Sequence, residues 1–347
     1  MSRIRELALA ALLVSTAHAQ DDVARPLFSD DSPLALTIEA PFRRLERETV
    51  DDRPELDGIV RYHDAAGGEV ALDAEIRVRG KSRLRVCDFP PLRVDFDRGK
   101  LGGTVFAGQN HLKLVTLCKR RDAYRNYLAE EYQIYKAYNV LTDYSFRVRW
   151  LSVEYVDSEE ERAEPFTEPA FFIEEDSEVA ARHGLETLNA SGFKVADLDP
   201  RETALLALFE FMIGNVDWAG TAPAPDEDDC CHNGKPIGSA RPGGVIVLPY
   251  DFDNAGLINA EYAVPNAGVP IRSVRTRYYW GYCVTNPELD WAVQRFNEQR
   301  AAIERVFDAE PVDERARSRT LDYISNFYEI INDPEERQEK IVDRCRG

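Results

Sequence analysis

Gly214-Asn215-Val216-Asp217-Trp218 leads through Cys230-Cys231-His232-Asn233 to Val245-Ile246-Val247-Leu248-Pro249-Tyr250-Asp251-Phe252-Asp253. Upstream, Asp199 is a good helix N-cap and Pro200 suits the first helical position. Leu205, Leu206, Leu208, Phe209, Met212 and Ile213 then make a helix apolar almost all round, which Gly214 ends. Beyond it, a polar loop presents an Asp and later an Asn, and an apolar strand ends in two more carboxylates. Transfer of a phosphoryl group asks a protein mainly for positioning and charge neutralisation, and this order of parts suits it: one carboxylate for the acceptor, another with an amide oxygen for a hard cation.

Working outward toward the C-terminus, 288–307 and 313–331 read as long amphipathic helices, and Pro334 starts a short third. Toward the N-terminus, 34–38 is a first strand and 58–115 has β character, with alternation at 75–79, 92–96 and 111–115. This predicts an antiparallel sheet with one wet face. A helix at 121–138 follows, with Glu130 and Glu131 in its middle, then strands at 146–156 and 170–173. The expected organisation is a leader at 1–19, a β-rich lobe with one long helix at 20–175, and a mainly helical lobe at 176–347.

The 347 residues, 44% hydrophobic and 10% aromatic, can bury a real core. The formal charge of −19 repels phosphate backbones, so no nucleic-acid partner is expected unless a basic patch is tightly clustered. Arg3 and Arg5, the apolar Leu7 to Val14 and Ala17-His18-Ala19 before Gln20 read as an export signal. No later segment approaches the ~20 apolar residues of a spanning helix, so a periplasmic or secreted protein without a transmembrane segment is expected.

Six cysteines in an exported chain permit three disulfides. Cys87 with Cys118 is the first pairing expected, and Cys230 or Cys231 with Cys283 the second. Zinc at Cys230-Cys231-His232 is a poor reading, because adjacent ligands do not wrap a tetrahedral ion. Arg272, Arg275 and Arg277 beside Tyr278, Tyr279 and Trp280 dock an acidic substrate or, as aromatics in that number more commonly do, pack.

Arg79-Gly80-Lys81-Ser82-Arg83, Pro90-Pro91-Leu92-Arg93-Val94, Arg125-Asn126-Tyr127-Leu128-Ala129, Phe172-Ile173-Glu174-Glu175, Gly214-Asn215-Val216-Asp217 and Tyr250-Asp251-Phe252-Asp253 occur in one order over about residues 70–300. In that order they resemble the spore-coat protein H (CotH) kinase-like family. The resemblance implies an α+β, two-lobed protein-kinase-like fold with a β-rich N-terminal lobe and a mainly helical C-terminal lobe. It also implies an atypical protein kinase that moves the γ-phosphoryl group of ATP to Ser or Thr of a protein with Mg2+ or Mn2+. On these motifs Asp217 takes the catalytic-loop role, Asn233 and Asp251 hold the metal with help from Asp253, and Phe172 to Glu175, including Glu174, is the hinge that meets adenine.

On placement alone, Lys113 is the candidate phosphate-binding lysine, with Glu131 or Glu130 as its ion-pair partner, though it reads equally as a solvated strand residue. Arg79 and Arg83 are phosphate contacts or ordinary polar-face residues. Fifteen residues lie between Asp217 and Asn233, where the usual kinase loop leaves four, so the intervening segment must loop out, and Asn215 is the substitute ligand. A non-catalytic envelope or surface interaction protein is the alternative. Hydrolase chemistry has little support, since G-x-S-x-G and H-E-x-x-H are absent and His63, His111, His183 and His232 are scattered.

Overall fold

Strand β1 (Leu34–Ala40) pairs on one side with β2 (Leu56–His63) antiparallel and on the other with β6 (Val148–Asp157) parallel, Ile38 lying opposite Val60 and Tyr155. That second pairing closes a seven-stranded mixed barrel in the order β1-β2-β3-β4-β5-β7-β6, completed by β3 (Glu69–Val78), β4 (Leu92–Phe96), β5 (His111–Thr116) and β7 (Phe166–Ile173). The computed structural model describes residues 26–47, 52–160, 162–224, 228–239 and 241–347. The leader expected at 1–19 and residues 225–227 of the segment expected to loop out between Asp217 and Asn233 lie outside them.

Closure overturns the expected open antiparallel sheet, and with it the two-lobed protein-kinase-like fold: the N-terminal half is a closed mixed barrel, accompanied by eight α-helices among the described residues. Alternating side chains fill the barrel, with Ile38, Val60, Ile76, Val94, Leu112 and Val153 fully buried. Outward-facing neighbours meet across the seam, where Thr37 Oγ1 donates to Glu154 Oε2 at 3.0 Å. The alternation that suggests one wet face is equally that of a barrel wall, whose inner face is the core.

Two short helices, α1 (Phe42–Leu45) and α2 (Arg83–Val86), decorate the barrel, and α3 (Asp122–Leu141) crosses from β5 to β6. Helix α3 joins the two halves. Tyr132 meets Trp150 of β6 and Tyr135 meets Phe171 of β7, while on the far side Tyr138 meets Phe209. Next come α4 (Asp176–Arg182), a small sheet of β8 (Glu186–Thr187), β9 (Gly234–Gly238) and β10 (Val245–Pro249), and helices α5 (Pro200–Ile213), α6 (Leu289–Phe307), α7 (Glu314–Asn332) and α8 (Pro334–Lys340).

Helix α5 follows its sequence signals closely. Asp199 accepts from the backbone N–H of Arg201 and Glu202, the apolar surface is buried all round, and Gly214 takes the left-handed conformation at φ 69°. A side chain there would meet Tyr323, whose hydroxyl lies 2.1 Å from where the Cβ would stand.

Disulfides link Cys87 to Cys118, Cys230 to Cys231 and Cys283 to Cys345. The first is the pairing expected from sequence. The expected bond from Cys230 or Cys231 to Cys283 is not formed: those two neighbours bond each other, and Cys283 takes the C-terminal Cys345. That last bridge spans 62 residues, including α6, α7 and α8. On the chain-entropy account a loop of that length is worth about 4 kcal/mol. Cys283→Ser with Cys345→Ser is therefore expected to lower unfolding stability by about that much in oxidising buffer. An unchanged denaturant midpoint would show that the bridge constrains nothing in the unfolded chain.

Candidate active site

The turn after α5 assembles around Asp217. Asn215 Oδ1 accepts from the Asp217 backbone N–H at 2.9 Å, which fixes the turn. The Asp217 carboxylate then accepts from His232 Nε2 at 2.9 Å on one oxygen, and from Asn254 Nδ2 at 2.8 Å and Asn233 Nδ2 at 3.3 Å on the other. Burial works to raise this carboxyl, but the His232 bond and charge, with Asn254 and Asn233, hold it below its ordinary value. It is thus an ionised, firmly oriented carboxylate that is still half-buried rather than sealed.

Asn233 comes back to Asp217 although fifteen residues separate the two. Asn233 Nδ2 donates to the Asp217 carbonyl at 2.7 Å, and the Asn233 carbonyl accepts from the Tyr250 N–H at 3.2 Å, which draws β10 and its carboxylates to the same place. The Cys230–Cys231 bond sits immediately before His232, and the His232 backbone pairs with Ala219 and Ala222. From sequence, His232 stands only as a poor zinc ligand and as one of several scattered histidines; its bond to Asp217 is not anticipated there.

Asp251 and Asn233 both hold left-handed backbone, at φ 62° and 48°. Such conformations are costly for residues with a side chain and persist where surrounding structure enforces them. At Asp251 the enforcing contact is its N–H donating to the buried Tyr135 hydroxyl at 2.9 Å. Its carboxylate is about one-third exposed, at 36%.

Arg83 of α2 ties these elements together. Its Nη2 donates to both carboxylate oxygens of Glu131 at 2.8 and 2.7 Å and to Asp251 at 3.3 Å, and its Nε donates to Asp253 at 2.9 Å. One buried cation thus faces three carboxylates. Burial lifts Glu131 to about 7 against the pull of Arg83, and burial likewise raises Asp253. Asp253, expected to help hold a metal, is placed inside this ion cluster.

The expected pairing of Lys113 with Glu131 or Glu130 is not made. Lys113 lies opposite Ile173 across β5 and β7, which sets it beside Glu175 two residues on, and Nζ donates to Glu175 at 3.2 Å. Glu131 is taken by Arg83. Glu130 points the other way from α3, where Oε1 accepts from Thr320 at 2.8 Å and Arg319 at 3.3 Å. Glu174 accepts from the Arg147 N–H at 3.0 Å, so its side chain is spent on the chain itself. Lys113 is buried enough to depress its ammonium, a shift that Glu175 opposes and that the charges of Arg79 and Lys235 reinforce. Arg79 Nε is buried with no partner among the described residues.

The side chains around Asp217 and Asp251 fit the two groups that the motif resemblance implies. For a hard divalent cation they are a part-exposed carboxylate at Asp251 and the amide oxygen of Asn233, whose nitrogen is turned to Asp217. No cluster of three or more His, Cys, Asp or Glu is arranged for a metal among the described residues, so any such site is mixed carboxylate and amide. For phosphate, the fit is the unpartnered Arg79 Nε together with Lys113 and Lys235.

Burial also lifts the Glu130 carboxyl to about 7, against the Thr320 and Arg319 bonds. The folded state therefore holds a proton there that the unfolded state releases near 4.5. That contribution is present below 4.5 and lost as pH rises to about 7, and it is worth up to about 3 kcal/mol. Glu130→Gln is expected to gain on the wild type in unfolding midpoint between acid and mildly alkaline pH. A constant difference across that range would show that Glu130 titrates alike in the folded and unfolded states. No protein-family model matches the chain, and no curated protein matches it.

Proposed function

We propose that the chain is an exported phosphotransferase that moves the γ-phosphoryl group of ATP to Ser or Thr of a protein with Mg2+ or Mn2+. The observation that carries this reading is the return of Asn233 and Asp251 to an ionised Asp217 across a long insertion. The reading rests on these side chains and not on a fold, since the barrel is not a kinase lobe. Its order of motifs resembles the CotH kinase-like family.

In this reading Asp217 accepts the proton of the acceptor hydroxyl while His232 and Asn254 keep its carboxylate in one orientation. Asp251 and Asn233 hold the divalent ion, which when bound supplies charge neutralisation at the phosphates. Arg79, Lys113 and Lys235 provide the remaining positive charge. Arg83 acts on the site by holding Asp251 and by fixing α3 against the 251–253 turn. Three disulfides, and no helix among the described residues long and apolar enough to cross a membrane, are compatible with export.

One observation favours a second reading, a non-catalytic interaction protein of the envelope or surface: Arg83 already engages Asp251. The test uses oxidised protein from Gln20 onward with labelled ATP and Mg2+ or Mn2+, beside Asp251→Asn. Metal-dependent labelling of protein, lost in the variant, is the expected result. If ATP and metal neither stabilise the wild type in a thermal melt nor label anything, the transfer reading fails and the interaction protein stands.

A further inference from the structure

Against a formal charge of −19, the surface along α7 is arranged the other way. A cleft of about 500 Å³ lies between α7 and the segment before α6, lined by Arg275, Arg315 and Arg319. A second, of about 460 Å³, continues it past Arg277 and Lys340. They meet at Arg275 and Asp322. The joint groove carries five cations against two carboxylates, Glu314 and Asp322.

Three of these cations, Arg275, Arg277 and Arg315, have no carboxylate partner among the described residues, while Arg319 pairs with Glu130 and Lys340 with Glu336. Arg275 donates from Nη1 to the Gly256 and Leu257 carbonyls at 3.1 and 3.3 Å and lies 4.3 Å from the Tyr323 ring centre. Arg277 donates to the Met212 and Tyr323 carbonyls and stacks on the same ring at 3.6 Å. Arg315 is exposed and has no carboxylate partner among the described residues. Among the described residues Arg319 pairs with Glu130, and its Nε is buried with no hydrogen-bond partner among them. Guanidinium groups fixed through carbonyls and rings are preorganised, so little side-chain entropy remains to be lost when an anion binds.

We propose that the groove along α7 is a docking site for an acidic peptide segment of a partner protein. Planar guanidinium forks match carboxylates bidentately, and a groove of this length takes several side chains in a row. A long polyanion such as nucleic acid fits less well, because beyond the groove it meets the acidic remainder of the surface within a Debye length. The proposal concerns binding alone and stands whether or not the chain transfers phosphate.

The test is fluorescence anisotropy with the oxidised protein and a labelled Asp/Glu-rich peptide in low-salt buffer, without nucleotide. Arg315→Glu removes the freest cation, and Ser318→Glu adds a carboxylate to the groove at an exposed position while removing no bonded side chain. Each is expected to weaken binding about tenfold, which is 1.4 kcal/mol. Arg44→Glu, an exposed change of the same charge on the barrel side, is expected to leave binding within about twofold. Three outcomes overturn the proposal: no binding by the wild type, equal weakening by Arg44→Glu, or tighter binding of an oligonucleotide of equal charge. Melting temperatures matching the wild type keep both groove variants interpretable.

Discussion

Arg83→Met is expected to cost about 3–5 kcal/mol of stability, the usual consequence of leaving buried charge without its partner. Arg83 is 7% exposed, and Glu131 and Asp253 around it are 3% and 5% exposed. Methionine keeps the apolar stem and removes every donor. Glu131 and Asp253 must then repel each other in a dry site or take up protons, so their carboxyls rise further. The sign follows from linkage: a carboxylate held higher in the folded state loses stability as pH rises. The variant should therefore lag the wild type most at mildly alkaline pH and recover part of the deficit in acid. Adding Glu131→Gln and Asp253→Asn should restore stability without restoring any cation. Lysine should be a poor substitute, since one ammonium cannot reproduce a fork that reaches Glu131 and Asp253 in different directions. Equal denaturant midpoints for wild type and Arg83→Met would contradict the account of a buried ion hub.

On the proposed transfer reading, Asp217→Asn should lower phosphoryl transfer about 10²- to 10⁴-fold, the range a positioned acid or base contributes. The side chain keeps its size but loses the charge that receives the acceptor proton. The His232, Asn233 and Asn254 donors then face an amide in place of a carboxylate, so one of them meets a donor. That mismatch should cost about 1–3 kcal/mol of stability. Stabilisation by ATP and metal should survive, because Asp251 and the Arg79, Lys113 and Lys235 set are untouched. Separating retained binding from lost transfer is what distinguishes a chemical role from a structural one. Wild-type labelling by the variant would remove Asp217 from the chemistry.

Much of the local structure was legible because its causes are local. The cap at Asp199, the proline after it and the glycine at 214 are adjacent to the helix they bound, and the apolar spacing of α6 and α7 is written within each helix. The strands at 92–96 and 111–116 show their alternation in the same way. Cys87 and Cys118 were pairable because each adjoins a recognisable element. The ordered carboxylates at 217, 251 and 253 and the amide at 233 could be named from motifs, and the structure places all four in one neighbourhood.

What tertiary structure alone decided depends on contacts between distant residues. Whether the first strand closes a barrel is a question of its parallel register against β6, more than a hundred residues on; alternation is the same in an open sheet and a closed one. Glu131 meets Arg83 and not Lys113 because α2 folds back over α3 while β7 brings Glu175 to Lys113. Residue type and spacing therefore determined which groups the chain has available for chemistry and which helices carry them. The partner that each buried charge and each cysteine takes was decided by long-range packing, since nothing along the chain encodes which distant group a fold will bring within 3 Å.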